Sequence, residues 1–583
     1  MTQQPTTDSS PPDRRSRFSV FALLCAVLLS VGTTFFGDVP AARAQDNTSP
    51  KYPHVVWLKS PDHRATVVWM TVDKGEEHKL YFDTESHEGD LDEYRYHISA
   101  QRTVAEFKDK VWFHHAVIDG LHPSTEYHFV VETDGQASEE RFFRTAPNDD
   151  RPFKLLYGGD SRSNPDSRRE INKRIRALVT DDEQIIGLAH GGDFVAEAMV
   201  WEQWKQWLED WQLTTTSEGR VVPIIPGRGN HEFSAGLITG KTDNYNAIFG
   251  FPGGDEEDYW TTELGSQVAF ITLNSNSTLG GDQRDWLDAQ LDKFTDTRKW
   301  VVANYHRPAY PAVKSPGAAR QHWVPLFEKY NVDLVCESDG HVLKRTVPIR
   351  EGEQAEDGIV YVGEGGLGVK QRTPDDRWYL QAPGMTMSVH HVQLLSFGPD
   401  ELDYEAIKID GSVADSATFD KRREQPADPI ELDDAYATSQ TRVEVDFSKG
   451  IAAESIMSSE ADFTIVPDIE IGRIEPHKDF DDVIVLRTGE LYPDVEYRLS
   501  VTGVKDHLGN RLDETLEATL NPQPNGRPAD QPGKPRQAEV EQSNSSGSAH
   551  ASSCSVALGD ALPITLAVFF AGAIFIGIRR RAQ

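Results

Sequence analysis

Five short segments bound what this chain can fold into: Gly159-Asp160-Ser161-Arg162, Gly192-Asp193, Gly229-Asn230-His231-Glu232, His306 within Asn304-Tyr305-His306-Arg307-Pro308, and Gly340-His341. They lie in a stretch where apolar runs, such as 153–157 and 221–225, alternate with helical periodicity at 166–179, 200–211 and 283–291. That alternation is the signature of an α/β sheet over 151–410. An open α/β sheet gathers its strand ends, and the polar turns that follow them, along one edge. A glycine beside an Asp permits the tight strand-to-loop turn that projects a carboxylate over that edge. In order, the segments supply Asp, Asp, Asn, His and His. All are oxygen or nitrogen donors, the raw material of a hard-to-borderline metal site able to hold two ions.

The flanks have a different period. Residues 52–147 read as short strands: 65–71 is rich in β-branched residues, and Trp112-Phe113-His114-His115-Ala116-Val117-Ile118 alternates at period two. With turns every ten residues or so, this predicts an all-β sandwich. Leu121-x-Pro123-x-Thr125-x-Tyr127 resembles the tyrosine corner of fibronectin type III domains. Residues 430–522 return to strands at 441–447, 482–486 and 497–501, and 501–512 resembles the last hairpin of bacterial surface Ig-like domains. Residues 523–555, rich in Pro, Ser, Gly, Gln and Asn, read as a disordered linker.

A chain of 583 residues with a formal net charge of −34 exceeds one core, and its acidic balance argues against binding a nucleic acid duplex. Only Cys25, Cys336 and Cys554 are present, so no disulfide framework supports the domains, and Cys336 reads as a buried strand thiol. Arg14, Arg15 and Arg17 precede the apolar stretch 18–31, and Ala42-Arg43-Ala44 offers a small-x-small cleavage site. Residues 1–44 therefore read as a signal peptide. The apolar run 561–578, closed by Arg579-Arg580-Arg581, reads with 556–583 as a transmembrane or sorting tail with its arginines inside. The expectation is an exported bacterial protein at the cell surface or outer envelope, held to a membrane by its tail. Oligomeric state is left open.

The five segments in order, with Gln283-x-x-Trp286-Leu287 following Asn274-Ser275, and with Phe143-Arg144-Thr145-Ala146-Pro147 closing a preceding β-domain, resemble the calcineurin-like metallophosphoesterases. Within them the pattern looks most like the purple acid phosphatase branch, over roughly residues 52–410. The resemblance implies an α/β metallophosphoesterase sandwich, two mixed β-sheets flanked by helices, set between two all-β Ig- or fibronectin-like sandwiches. It implies one or two divalent or trivalent ions (Fe, Zn, Mn or Mg) and a phosphate mono- or diester substrate, attacked by a metal-bound hydroxide. Carried over residue by residue, Asp160 binds the first metal, Asp193 bridges, and Asn230, His306 and His341 hold the second. His231 is catalytic, stabilising charge on the ester and protonating the leaving oxygen.

The pattern has two gaps, both at the first metal. The Tyr expected three residues after the bridging Asp is Ala196, and the second His of Gly-His-x-His is Leu343. Glu337, Asp339, Glu232 and His190 are the nearby residues that would replace them; otherwise the site is mononuclear or degenerate. Arg162, Arg228 and Arg307 read either as phosphate clamps or as scaffold, and His390-His391 with Glu364-Gly365-Gly366 as strand and turn or as site lining. The expected function is an exported metal-dependent phosphoesterase. The alternatives are a catalytically degenerate phosphatase-like surface or adhesion protein, and a hydrolase of non-phosphate esters.

Overall fold

The computed structural model describes residues 47–520, apart from 108–109, 234–242, 252–257, 422–428, 457–460, 479, 494 and 508. The expected signal peptide, linker and tail lie outside the described residues. Among those described, no helix is long and apolar enough to cross a membrane.

Two sheets face each other at the centre. The larger has ten strands. Its middle is Phe153–Gly158, parallel to Ile185–His190, which is parallel to Ile224–Pro226, with His391–Phe397 antiparallel on the other side. The smaller has seven, with Val268–Thr272, Trp300–Tyr305, Leu334–Glu337 and Val360–Gly363 running parallel in succession. Leu155, Tyr157, Ala189 and Ile225 from the first sheet pack with Phe270, Val302, Leu334, Cys336 and Val362 from the second. Strands buried on both faces read as continuous apolar runs, and these do.

Helices cover the outer faces. Trp201–Trp211 buries Trp204, Trp207, Leu208 and Trp211, one stripe at helical spacing, against Leu188 and Ile224. Pro165–Asp181 begins with proline, where no intrahelical N–H is needed, and buries Ile171, Ile175 and Val179. On the other sheet, Asp282–Thr297 seats Leu287, Leu291 and Phe294 against Val301 and Ala303. All three helices fall where the periodicity put them.

The N-terminal β-domain is not free-standing. Lys51–Val56 pairs in parallel with Ile224–Pro226, so four of its strands extend the ten-stranded sheet across the expected boundary near 150. The pairing satisfies edge amides that would otherwise stay open. Its second sheet contains Tyr127, whose hydroxyl accepts the His122 N–H at 2.9 Å, the corner read from the sequence. Residues 432–520 form a four-stranded and a three-stranded sheet over one core of Val443, Val445, Leu486, Phe463, Leu499 and Leu520. There Tyr497 accepts the Tyr492 N–H at 3.1 Å, a second corner of the same spacing.

Candidate metal centre

The parallel strands end together, and so do the donors. Asp160 follows Phe153–Gly158, Asp193 follows Ile185–His190, and Asn230 and His231 follow Ile224–Pro226; His306 follows Trp300–Tyr305, and Asp339 and His341 follow Leu334–Glu337. Asp160, Asp193, Asp339 and His341 carry left-handed backbone, with φ of 57°, 60°, 67° and 62°. Each such residue costs on the order of 1 kcal/mol, so the surroundings must impose it, as they do at functional sites. The turns also need close approach: a Cβ on Gly229 would fall 2.1 Å from Asp193 Oδ1, and one on Gly365 2.1 Å from Asp160 Oδ2.

Asp193 is fully buried at the centre. Its Oδ1 accepts the His231 backbone N–H at 3.1 Å and lies 3.2 Å from His306 Nε2. Its Oδ2 accepts Arg162 Nε at 2.9 Å and lies 3.7 Å from His231 Nε2. Asp160 Oδ2 accepts the Asp339 N–H at 2.8 Å, and its Oδ1 lies 3.1 Å from His341 Nε2. Asp339 Oδ1 lies 3.6 Å from His306 Nε2 and also receives the Lys314 ammonium. One ligand atom from each of Asp160, Asp193, Asp339 and His341 falls within 4.8 Å of all the others.

Two imidazoles are oriented from behind. His306 Nδ1 donates to Gly191 O at 2.8 Å and His231 Nδ1 to Ala196 O at 2.6 Å, since a carbonyl can only accept. In both rings Nε2 is left facing the cluster, the tautomer a metal-binding or proton-handling histidine needs. Burial opposes charge on Asp193, but His306, His231 and Arg162 outweigh it and lower its pKa. Burial likewise opposes charge on Asp339, yet His306 and Lys314 hold it at about 2. Asp193 and Asp339 are thus carboxylates at neutral pH, each held by basic neighbours. Asp160 Oδ1, His306 Nε2 and His341 Nε2 are buried without a hydrogen-bond partner. Buried polar atoms left so are costly, and a cation between them is what this donor set fits.

His341 Nε2 lies 3.1 Å from Asp160 Oδ1, and Asp339, named from the sequence only as a replacement, brings its Oδ1 to 3.6 Å from His306 Nε2. The spacing of a His-x-His pair is therefore met by Asp339-x-His341, beginning two residues after the strand ends at Glu337. Leu343 is no gap: it is a fully buried core residue in Leu343–Arg345. Ala196 remains a true departure, its carbonyl serving His231 instead.

Of the other residues named to fill the gaps, none reaches in. Glu232 accepts the N–H groups of Asp193, Phe194 and Gly229, each at 2.8 Å. Glu337 is taken by Tyr305, Ala309 and Lys344. His190 bonds Ser161 and stacks on Phe194. Arg228 is scaffold, bonded to Asn246 and lying over Tyr245 and Phe251, and Arg307 is exposed. His390 and His391 bond backbone carbonyls, while the Glu364 carboxyl packs under Gly340. Asn230 and His231 stand half-exposed at the rim. The sequence reading missed Lys314, for which no motif gave a signal.

Residues 50–145 match the family model for the purple acid phosphatase N-terminal domain, and 140–343 the model for calcineurin-like phosphoesterases. The uncharacterized protein Rv2577 of Mycobacterium tuberculosis is 27% identical over 304 residues, covering 46% of this chain and 55% of that protein. Purple acid phosphatase 23 of Arabidopsis thaliana is 27% identical over 293 residues, covering 43% and 62%. The chain thus spans little more than half the length of these relatives. The purple acid phosphatase PPD1 from yellow lupin seeds superposes with a TM-score of 0.54 at 18% identity, over 64% of this chain and 74% of that one.

Proposed function

We propose that this chain, which carries a purple acid phosphatase N-terminal domain and a calcineurin-like phosphoesterase domain, hydrolyses phosphate mono- or diesters with one or two bound metal ions. The observation that carries the reading is the convergence of Asp160, Asp193, Asp339, His306 and His341 around three unpartnered buried donor atoms, with His231 Nε2 at the rim. Asp160, Asp193 and His341 would hold one ion, and Asp193, Asn230, His306 and Asp339 the other. When bound, such ions polarise a phosphoryl oxygen and lower the pKa of water. His231, its Nδ1–H held by Ala196 O, would keep Nε2 toward the ester and, as the imidazolium, give its Nε2 proton to the leaving oxygen, returning to the neutral ring. Arg162, hydrogen-bonded to Asp193 and little exposed, closes the same side.

Convergence of five donors, with His231 beside Asp193, favours an enzyme over a degenerate surface protein. The same reading includes export, a tail held in a membrane, and an Ig-like fold for 430–522, the last supported by the Tyr497 corner. The test is hydrolysis of an aryl phosphate and a bis-aryl phosphate after loading with Mn, Zn, Fe or Mg. His231→Ala is expected to lower kcat by about 10²–10⁴-fold with metal content unchanged. Wild-type rates no higher than those of a His231→Ala, Asp193→Ala double variant under every metal would sink the proposal.

A further inference from the structure

The residue that completes the His306 half of the site is a carboxylate held by an ammonium. We propose that the Asp339–Lys314 pair biases this half-site toward hard divalent ions, manganese or magnesium, and away from zinc. The inference rests on the reading of these residues as metal ligands. Beside the His306 nitrogen, Asp193 and Asp339 both present carboxylate oxygen, at 3.2 and 3.6 Å. Oxygen donors suit magnesium and manganese, whereas zinc draws its advantage from imidazole and thiolate.

Asp339 is fixed by its own backbone. Its φ is 67°, its N–H is given to Asp160 Oδ2 at 2.8 Å, and its carbonyl accepts Arg372 Nη1 at 3.0 Å. Its backbone is thus tied to Asp160 on one side and Arg372 on the other. Lys314 can move aside: its side chain is 40% exposed, and the ammonium sits on the same Oδ1 that faces His306. An ion entering this half-site must therefore displace Lys314 from Asp339, and the ion that gains most from carboxylate charge does so best. Lys314 is a positioning residue that holds Asp339 toward the site and competes for it.

Full-length protein stripped of metal and dialysed against equimolar Mn²⁺ and Zn²⁺ reads this directly, with bound metals counted by mass spectrometry. Asp339→His should move the Mn:Zn ratio toward zinc by roughly tenfold or more, the size of effect that altered metal surroundings commonly have. Lys314→Met, a surface change that spares the fold, should tighten Mn²⁺ binding severalfold at unchanged stoichiometry. A ratio within twofold of wild type in Asp339→His overturns the proposal. So does unchanged Mn²⁺ affinity in Lys314→Met, which also decides the matter should Asp339→His fail to fold. If Asp339→His shifts the ratio as expected but wild type cleaves no ester, the phosphoesterase reading falls and this one stands. An active protein with an unshifted ratio in Asp339→His gives the reverse.

Discussion

At the scale of single residues, Glu232 shows how the site is built from behind. Its carboxylate accepts the N–H groups of Asp193, Phe194 and Gly229, so one side chain fixes the turns that present Asp193 and Asn230. Burial, then the neighbouring Asp193 charge, push its pKa up to about 7, and the amides together with His306 restrain the rise. Glu232→Ala strips the acceptor from three buried amides. At about 1–3 kcal/mol for each unsatisfied group, the variant should melt many degrees below wild type and lose metal, although Glu232 touches none. Glu232→Gln, which keeps one acceptor oxygen, should fall between. A Glu232→Ala melting temperature within a degree or two of wild type would show that the turns hold without it. The sequence displayed Asp160, Asp193, Asn230, His231 and His306 because each stands beside a glycine or in a distinctive string. Asp339 was legible only as a replacement, because Gly340-His341 matches the start of a Gly-His-x-His motif; the turn after the strand end at Glu337 is what brings Asp339 to His306.

At the scale of elements, the helix Asp243–Ile248 is docked onto the N-terminal β-domain by histidines that the alternation of 112–118 marked only as strand residues. His115 Nε2 donates to Ala247 O at 2.6 Å, and His54 Nε2 lies 2.8 Å from Ile248 O. Burial lowers the His115 pKa to about 4; the Ala247 carbonyl opposes this in part, and Arg102 and His54 add to it. Burial lowers that of His54 as well. The folded pKa lies below the unfolded value of about 6.5, so the neutral ring is the stable one. Its stabilisation is complete above pH 6.5 and is lost as pH falls toward 4, a change on the order of 2–3 kcal/mol for His115. Hydrogen-exchange protection factors at 243–251, corrected for the intrinsic pH dependence, should therefore fall between pH 6.5 and 4, and His115→Gln should flatten that fall. Equal pH profiles for both proteins would place the acid-sensitive group elsewhere. The helices themselves were legible because their apolar stripes are local. The pairing of Val56 with Ile224 was not, since a ladder between such distant residues leaves no periodic trace.

At the scale of the molecule, the two β-sandwiches were each readable, the first through alternation and its tyrosine corner and the second through its strands and last hairpin, but their docking was not. The C-terminal strands close on the segment that joins the N-terminal β-domain to the central sheets. Arg151 bonds both Asp149 and Asp481, Asn510 Nδ2 donates to Asp150 Oδ2 at 3.1 Å, and Asn148 Nδ2 donates to Ser448 O at 2.6 Å. Beside them the buried His122 donates from Nδ1 to the buried Asp482 at 3.0 Å, with its ring stacked on Phe480. Polar pairs at fixed positions specify one docking geometry where a purely apolar face would tolerate several. Arg151 and Asp481 are each 30% exposed, so their attraction is partly screened and weighs less than the buried His122–Asp482 bond. Removing that buried acceptor costs about 1–3 kcal/mol. Calorimetry of the full chain should show one cooperative transition, and Asp482→Ala combined with Arg151→Met should split it, the C-terminal strands melting first. Metal content should not change, because none of these residues belongs to the donor set. A single transition displaced by only a degree or two would mean that the apolar contacts alone hold the C-terminal domain in place.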